Sequence, residues 1–209
     1  RDHPCPLRLS APYHERVNEL FERFPGIQGK PPPPGEIPQA AVLVPLYEDL
    51  EGVTRVILTK RPLTMPTHAG HLAFPGGRPD DGDGGPVGTA LREAEEEVGL
   101  DPDMVEVLGF LPAIHTIEYS LMVVPVVGWI EGVPQLRPSP REVDKVLEPP
   151  VDLLAGEDGW RFEMWREHKV WFFDLEGEVL WGATAHMVRQ LVGLEPPVTR
   201  IPPRDLIDP

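Results

Sequence analysis

Arg92-Glu93-Ala94-Glu95-Glu96-Glu97-Val98-Gly99-Leu100 decides the reading of this chain. On an α-helix, at about 100° per residue, Glu96 lies about 60° to one side of Glu93 and Glu97 about 40° to the other. The three carboxylates share one face, and Glu95 points away from it. Val87, Leu91, Ala94 and Val98 form a separate apolar stripe for packing. Like charges at these spacings weaken a helix by roughly a few tenths of a kcal/mol per pair. A hard divalent cation, held through carboxylate oxygens and water, offsets that repulsion. Two such ions can straddle a diphosphate and polarise it for attack. The plainer alternative is a solvated acidic face. The glycine turn before the helix and Arg92 beside the carboxylates favour a site.

Around this helix the chain reads as mixed strands and helices. A short strand over 72–74 runs into Pro75-Gly76-Gly77, and an acidic, glycine-rich loop covers 78–85. The helix is expected over 86–98, with Pro86 in its first turn and Gly99 just past its end. Upstream, 40–46 and 53–58 read as strands joined by the turn 48–52, with loop from 60 to 70. Downstream, 105–111 and 121–130 are strands. Residues 141–147 and 151–154 read as short helical pieces around Pro149-Pro150. Residues 170–174 and 179–181 are strand-like. A last helix covers 183–194, with Thr184, Val188, Leu191 and Val192 on one face.

Residues 12–24 form an amphipathic helix, with Tyr13, Val17, Leu20, Phe21 and Phe24 on one stripe, stopped by Pro25-Gly26. Pro31-Pro32-Pro33-Pro34 follows as a stiff connector. The expected division is an N-terminal helix and polyproline arm over 1–36, a catalytic domain over 37–195 and a Pro-rich tail over 196–209. The fold class is α+β, a helix–sheet–helix sandwich with a mixed sheet.

Composition narrows the function. The formal net charge is −15 over 209 residues, which disfavours nucleic acid and anionic membrane as partners. Such a chain also repels phosphate, so divalent metal is expected for any phosphate chemistry. No run approaches the roughly 20 apolar residues of a membrane helix. No apolar signal segment follows Arg1-Asp2-His3-Pro4, and Cys5 is the single cysteine. These features lead us to expect a cytoplasmic protein.

At this point the sequence resembles the Nudix hydrolases, whose box reads G-x5-E-x7-R-E-U-x-E-E-x-G-U, with U bulky and apolar. The second half aligns with Arg92 to Leu100, with Ala94 small for its position. In the first half, Gly77 plus five residues reaches Asp83 rather than Glu. Eight residues rather than seven separate Asp83 from Arg92. We read this as a loop variation. The resemblance implies an α/β/α sandwich, Mg²⁺ or Mn²⁺ as cofactor, and Glu93, Glu96 and Glu97 as metal ligands. Arg92 would orient the carboxylates. Backbone around Gly76 and Gly77 would approach metal or phosphate closely.

A narrower resemblance is to the coenzyme A pyrophosphatase branch of that family. Leu58-Thr59-Lys60-Arg61, His68-Ala69-Gly70-His71 and Phe74-Pro75-Gly76-Gly77 carry it, with Trp181-Gly182-Ala183-Thr184-Ala185 near the end. Pro62 and Pro66 depart from it, standing where Ser and a basic residue are common. The resemblance makes Lys60, Arg61, His68, Gly70, Phe74, Gly76 and Gly77 the substrate-binding candidates. On their own chemistry, Lys60, Arg61 and His68 form a basic cluster, and arginine suits bidentate phosphate contact. Their blander roles are a strand end at the surface and a loop hydrogen-bonder. Phe74 reads equally as core or as a ring-stacking wall, and Trp181 reads as core.

The expected reaction is metal-assisted hydrolysis of a phosphoanhydride in a small nucleotide substrate. Glu97 and Glu142 are the candidate bases. Glu142 lies in Ser139-Pro140-Arg141-Glu142-Val143, a turn read as opening a short helix. Coenzyme A as substrate would give 3′,5′-ADP and 4′-phosphopantetheine. Two rivals remain open: hydrolysis of ADP-ribose, a dinucleotide or a nucleotide sugar, and a noncatalytic nucleotide-binding module. The N-terminal arm has no catalytic features; covering the site, packing on the domain and supporting a homodimer are its open roles.

Overall fold

The computed structural model describes residues 18–29, 40–116, 121–165 and 168–195. Residues 18–23 are helical (α1). They carry the second half of the expected amphipathic stripe. Tyr13, Val17, the polyproline segment and the C-terminal tail lie outside the described residues.

Strand β1 (Ala40–Glu48) is the axis of the main sheet. Its apolar run is buried on both faces, as a central strand covered on two sides requires. It pairs antiparallel with β2 (Thr54–Val56). The chain continues through β3 (Leu58–Lys60), β4 (Leu72–Ala73) and β5 (Gly76–Gly77), then α2 (Pro86–Val98). Next come β6 (Val105–Phe110), β7 (Ile114–Thr116) and the long β8 (Leu121–Ile130), which lies parallel to β1. The six-stranded sheet runs β2-β1-β8-β6, with β5 also on β1 and β7 also on β8. Every pairing in it except β1–β8 is antiparallel, so the sheet is mixed as expected. A second sheet orders β4-β3-β9, where β9 is Lys145–Leu147. Helices α3 (Val151–Ala155) and α4 (Gly182–Leu191) flank a third sheet of β10 (Trp160–Trp165), β11 (His168–Leu175) and β12 (Glu178–Trp181).

The period of two along β1 and β8 divides the core into two layers. Ala41, Leu43, Val126 and Ile130 point to one face, where α2 lays down Ala90, Ala94 and Val98. The apolar stripe read from the helix is therefore its packing face. Val44, Leu46, Val123, Val127 and Trp129 point the other way, onto Phe24 of the N-terminal segment and Met187, Val188 and Leu191 of α4. The result is the helix–sheet–helix sandwich.

The N-terminal segment is stitched to this core. Leu20, Phe24 and Ile27 are buried in it, and Gln28 bridges to Phe110. At Gly26 a Cβ would fall 1.8 Å from the Gln190 carbonyl oxygen, so only glycine permits that approach to α4.

Three local readings are corrected. Residues 53–58 are not one strand: β2 stays with β1, and β3 leaves for the second sheet. The break falls at Ile57, whose N–H is drawn to Pro45 O. Residues 141–147 are not helical. A turn at Ser139 leads into β9, because the open edge of β3 offers Leu58, Thr59 and Lys60 as partners for Leu147, Val146 and Lys145. The final helix stops at Leu191 rather than 194. Among the described residues, no helix is long and apolar enough to cross a membrane.

Candidate active site

The site forms where α2 faces β5. A Cβ on Gly77 would lie 2.4 Å from Glu93 Oε1, so Glu93 rests its carboxylate against bare backbone. Gly76 packs as tightly on Val42 of β1 and donates its backbone N–H to Glu97. Two adjacent glycines thus let one strand touch β1 and α2 together.

Glu97 is buried, and Glu93 is partly so. Burial is the main cause that pushes the Glu97 carboxyl up to about 8. The Arg61 charge opposes this, Glu93 and Glu142 add to it, and the Gly76 N–H opposes it. Burial likewise raises Glu93. Glu142 acts electrostatically on both, so the 139–143 turn stands beside the helix face. Two backbone bonds hold it there: Arg137 N–H to Val98 O at 2.7 Å and Ser139 N–H to Glu97 O at 2.8 Å. They also satisfy carbonyls that the helix C-terminus leaves open.

Arg92 organises the other side. Its Nε donates to Asp83 Oδ1 at 2.8 Å and its Nη2 to Asp83 Oδ2 at 3.1 Å. The same guanidinium reaches Arg78 O at 2.9 Å, Glu93 at 3.0 Å and Glu96 at 3.3 Å. Asp83 also accepts from Thr89 Oγ1 and the Asp80 N–H. Its carboxyl is held well below the usual range, chiefly by Arg92. Glu96 is 55% exposed and held by Arg92. Among the described residues, no three acidic or imidazole side chains converge into a ready cage.

Arg61 follows β3, and its N–H donates to His71 O at 3.0 Å while its O accepts from Gly70 N–H. These bonds close the loop that carries His68 and Gly70, with Gly70 at φ +74. Arg61 Nε is buried with no hydrogen-bond partner among the described residues. Lys60 turns elsewhere, bonding Glu178 of β12 at 2.9 Å with Asp144 at 3.9 Å. Phe74 is 2% exposed within the core, which leaves its ring no open face for stacking. Trp181 is not core: it is 36% exposed, edge-on to His71 and stacked with Phe172.

Residues 37–175 match the Nudix domain family. The chain belongs to the Nudix family. It is 41% identical over 160 residues to Nudix hydrolase 22, chloroplastic, of Arabidopsis thaliana, covering 72% of this chain and 53% of that protein. The match therefore spans about half of the plant relative. It is 38% identical over 165 residues to the uncharacterized Nudix hydrolase NudL of Escherichia coli K12, covering 76% of this chain and 84% of that one. A MutT/nudix family protein from Enterococcus faecalis shares the fold, with a TM-score of 0.50, 17% identity and coverage of 88% and 69%.

As a class, Nudix hydrolases use divalent metals such as Mg²⁺ or Mn²⁺. The donor set here suits such an ion: carboxylate oxygens, with Glu93 lying against Gly77 backbone that a Cβ would fill. Burial raises the pKa of both Glu93 and Glu97 even with Arg92 beside Glu93 and the Arg61 charge acting on Glu97. Sequence reasoning placed Asp83 in the Nudix box without a partner. In the structure Asp83 takes two hydrogen bonds from the Arg92 guanidinium. Glu178, the partner of Lys60, was missed because it lies 118 positions away with no local signal.

Proposed function

We propose that this chain hydrolyses the phosphoanhydride of nucleoside diphosphate-linked compounds in the presence of Mg²⁺ or Mn²⁺. The observation that carries the reading is Glu93 resting on the Gly77 backbone and buried Glu97 accepting from the Gly76 N–H, with Glu142 and Arg61 near enough to act on Glu97 electrostatically. A bound divalent cation supplies Lewis acidity to the diphosphate and makes a water more acidic. Glu93, Glu96 and Glu97 would hold the cation. Arg92 fixes the orientation of Glu93 and Glu96. Arg61, with its unspent buried Nε, binds a nonbridging phosphate oxygen. Glu97 or Glu142 takes the proton from the attacking water, and the two interact electrostatically. Gly77 leaves room for the Glu93 carboxylate, Gly76 lets its strand lie close on β1, and Gly70 shapes the loop that presents His68 to the substrate. Lys60 acts at longer range, since Glu178 engages its ammonium.

Within this class we favour coenzyme A or an acyl-coenzyme A, cleaved to 3′,5′-ADP and 4′-phosphopantetheine. The pattern over 58–77 and the Trp181-Gly182-Ala183-Thr184-Ala185 ending support that choice. The test is a product assay with coenzyme A, acyl-coenzyme A, ADP-ribose, NADH and diadenosine polyphosphates, with Glu97→Gln as control. Fastest release of 3′,5′-ADP from coenzyme A, lost in the variant, is the expected result. Preference for ADP-ribose or a dinucleotide keeps the reaction and removes the narrow substrate. No cleavage with either metal sinks the hydrolase reading in favour of a binding module.

A further inference from the structure

The outward face of the β10–β11–β12 sheet is left over by the core. Strand alternation sends Trp160, Phe173 and Leu180 inward. It sends Arg161, Phe172 and Trp181 outward in one cross-strand row. The Arg161 guanidinium lies 4.8 Å over the Phe172 ring. Phe172 and Trp181 stack at 6.1 Å with planes 8° apart. His71 meets Trp181 edge-on at 4.7 Å, and His68 follows at 5.4 Å from His71. A continuous row of flat π-groups therefore crosses the small sheet.

The row ends at the active site. His71 O accepts from the Arg61 N–H at 3.0 Å, and Arg61 is the cation that acts on Glu97. The Lys60–Glu178 pair ties β12 to the strand that leads into Arg61. On the same outward face Trp181 is 36% exposed, Val179 41% and Trp165 47%. Leaving large apolar groups in water beside a polar site adds nothing to folding, and such surfaces mark where ligands lie.

We propose that Trp181, flanked by His71 and Phe172, is the surface on which the nucleobase of the substrate stacks. The inference rests on the nucleoside diphosphate reading above, and it assigns that substrate's direction: phosphates at Arg61, base toward β12. The chemistry of the row selects a base over an alkyl arm. Flat rings and a guanidinium plane match a planar π-system. An alkyl chain needs enclosing apolar walls, whereas this face is open and interleaved with Arg161, Glu163, His168 and Asp174. A neutral base also escapes the repulsion of a chain with net charge −15.

The test compares AMP with ribose 5-phosphate, which differ only by the base and contain no phosphoanhydride to cleave. Calorimetric titration of the full chain in Mg²⁺ should show AMP binding about tenfold tighter, the size of one base–aromatic stack. Trp181→Ala should erase that preference without changing ribose 5-phosphate affinity, and Trp181→Phe should keep most of it. Equal binding of the two ligands by the unaltered chain overturns the proposal, as does an AMP preference that survives Trp181→Ala. Should the alanine variant fail to fold, NMR on the unaltered chain decides. Contacts from adenine H2 or H8 to the Trp181 indole support the subsite; contacts to another tryptophan alone overturn it. Because neither ligand is hydrolysed, an AMP preference that Trp181→Ala erases, found in a chain that cleaves no diphosphate, would condemn the hydrolase reading and leave the subsite standing.

Discussion

Glu97 is buried near Glu93 and Glu142, and burial pushes its carboxyl up to about 8, above the usual carboxylate range. A raised carboxyl pKa means that the folded chain holds a proton the unfolded chain has released. The stability it contributes is present below the unfolded pKa of about 4.3 and is lost as pH rises through the folded value. In chelator, the melting temperature should therefore fall between about pH 5 and pH 9, and Glu97→Gln should lack that component. A bound cation replaces the proton, so Mg²⁺ should restore stability most at the alkaline end. A slope identical in Glu97→Gln would dismiss Glu97 as its source. Asp83 works through Arg92, which touches both Glu93 and Glu96. Asp83→Ala should weaken apparent metal affinity by about 10–100-fold, as loss of a ligand's orienting partner does elsewhere. Activity titrated against Mg²⁺ checks this, and an unchanged midpoint would reduce Asp83 to a loop tie. That Glu93, Glu96 and Glu97 share one helix face was legible from spacing alone, because i, i+3 and i+4 positions share a face in any α-helix. The burial of Phe74 and the exposure of Trp181 were not, because one aromatic residue in a short strand fits either side of a sheet.

Helix α2 shows local chemistry and packing in agreement. Pro86 starts it, and Gly99 ends it at φ 68, its N–H bonded to Glu95 O at 2.9 Å. Gly99→Ala forces a side chain into the left-handed region, with a Cβ 3.0 Å from that of Arg137. It should cost about 1–2 kcal/mol in urea unfolding. It should also loosen the Arg137–Ser139 backbone that brings Glu142 to the site. A loss below the error of that measurement would mean that the turn is not strained. Residues 141–147 went the other way. Val143 and Leu147 stand four apart, a helical spacing, and both are buried. The backbone pairs with β3 instead, since an open strand edge more than 80 residues upstream outweighs weak local propensity.

At the scale of the whole molecule, the N-terminal segment and α4 close one face of the sheet together. Phe24 is 1% exposed within that layer. Phe24→Ala should cost about 3–5 kcal/mol, the usual range for a buried ring. Unfolding should remain one transition, because that ring shares its cluster with β1, β8 and α4. Urea denaturation followed by fluorescence and circular dichroism checks both points. A loss under about 1 kcal/mol would show that the segment is peripheral to the fold.

What the sequence determined by itself is everything that repeats over a short range. The carboxylate face and apolar stripe of α2, its Pro and Gly boundaries, and the strands β1, β6 and β8 follow from short-range periodicity and from residues that punctuate a backbone. Long-range geometry settled the rest. The splitting of residues 53–58 between two sheets, the diversion of 141–147 into β9, the capture of Lys60 by Glu178 and the row from Arg161 to His68 each join residues far apart in the chain. Such contacts exist only once the sheets are stacked, because they depend on which strand edges and which faces the finished packing leaves open.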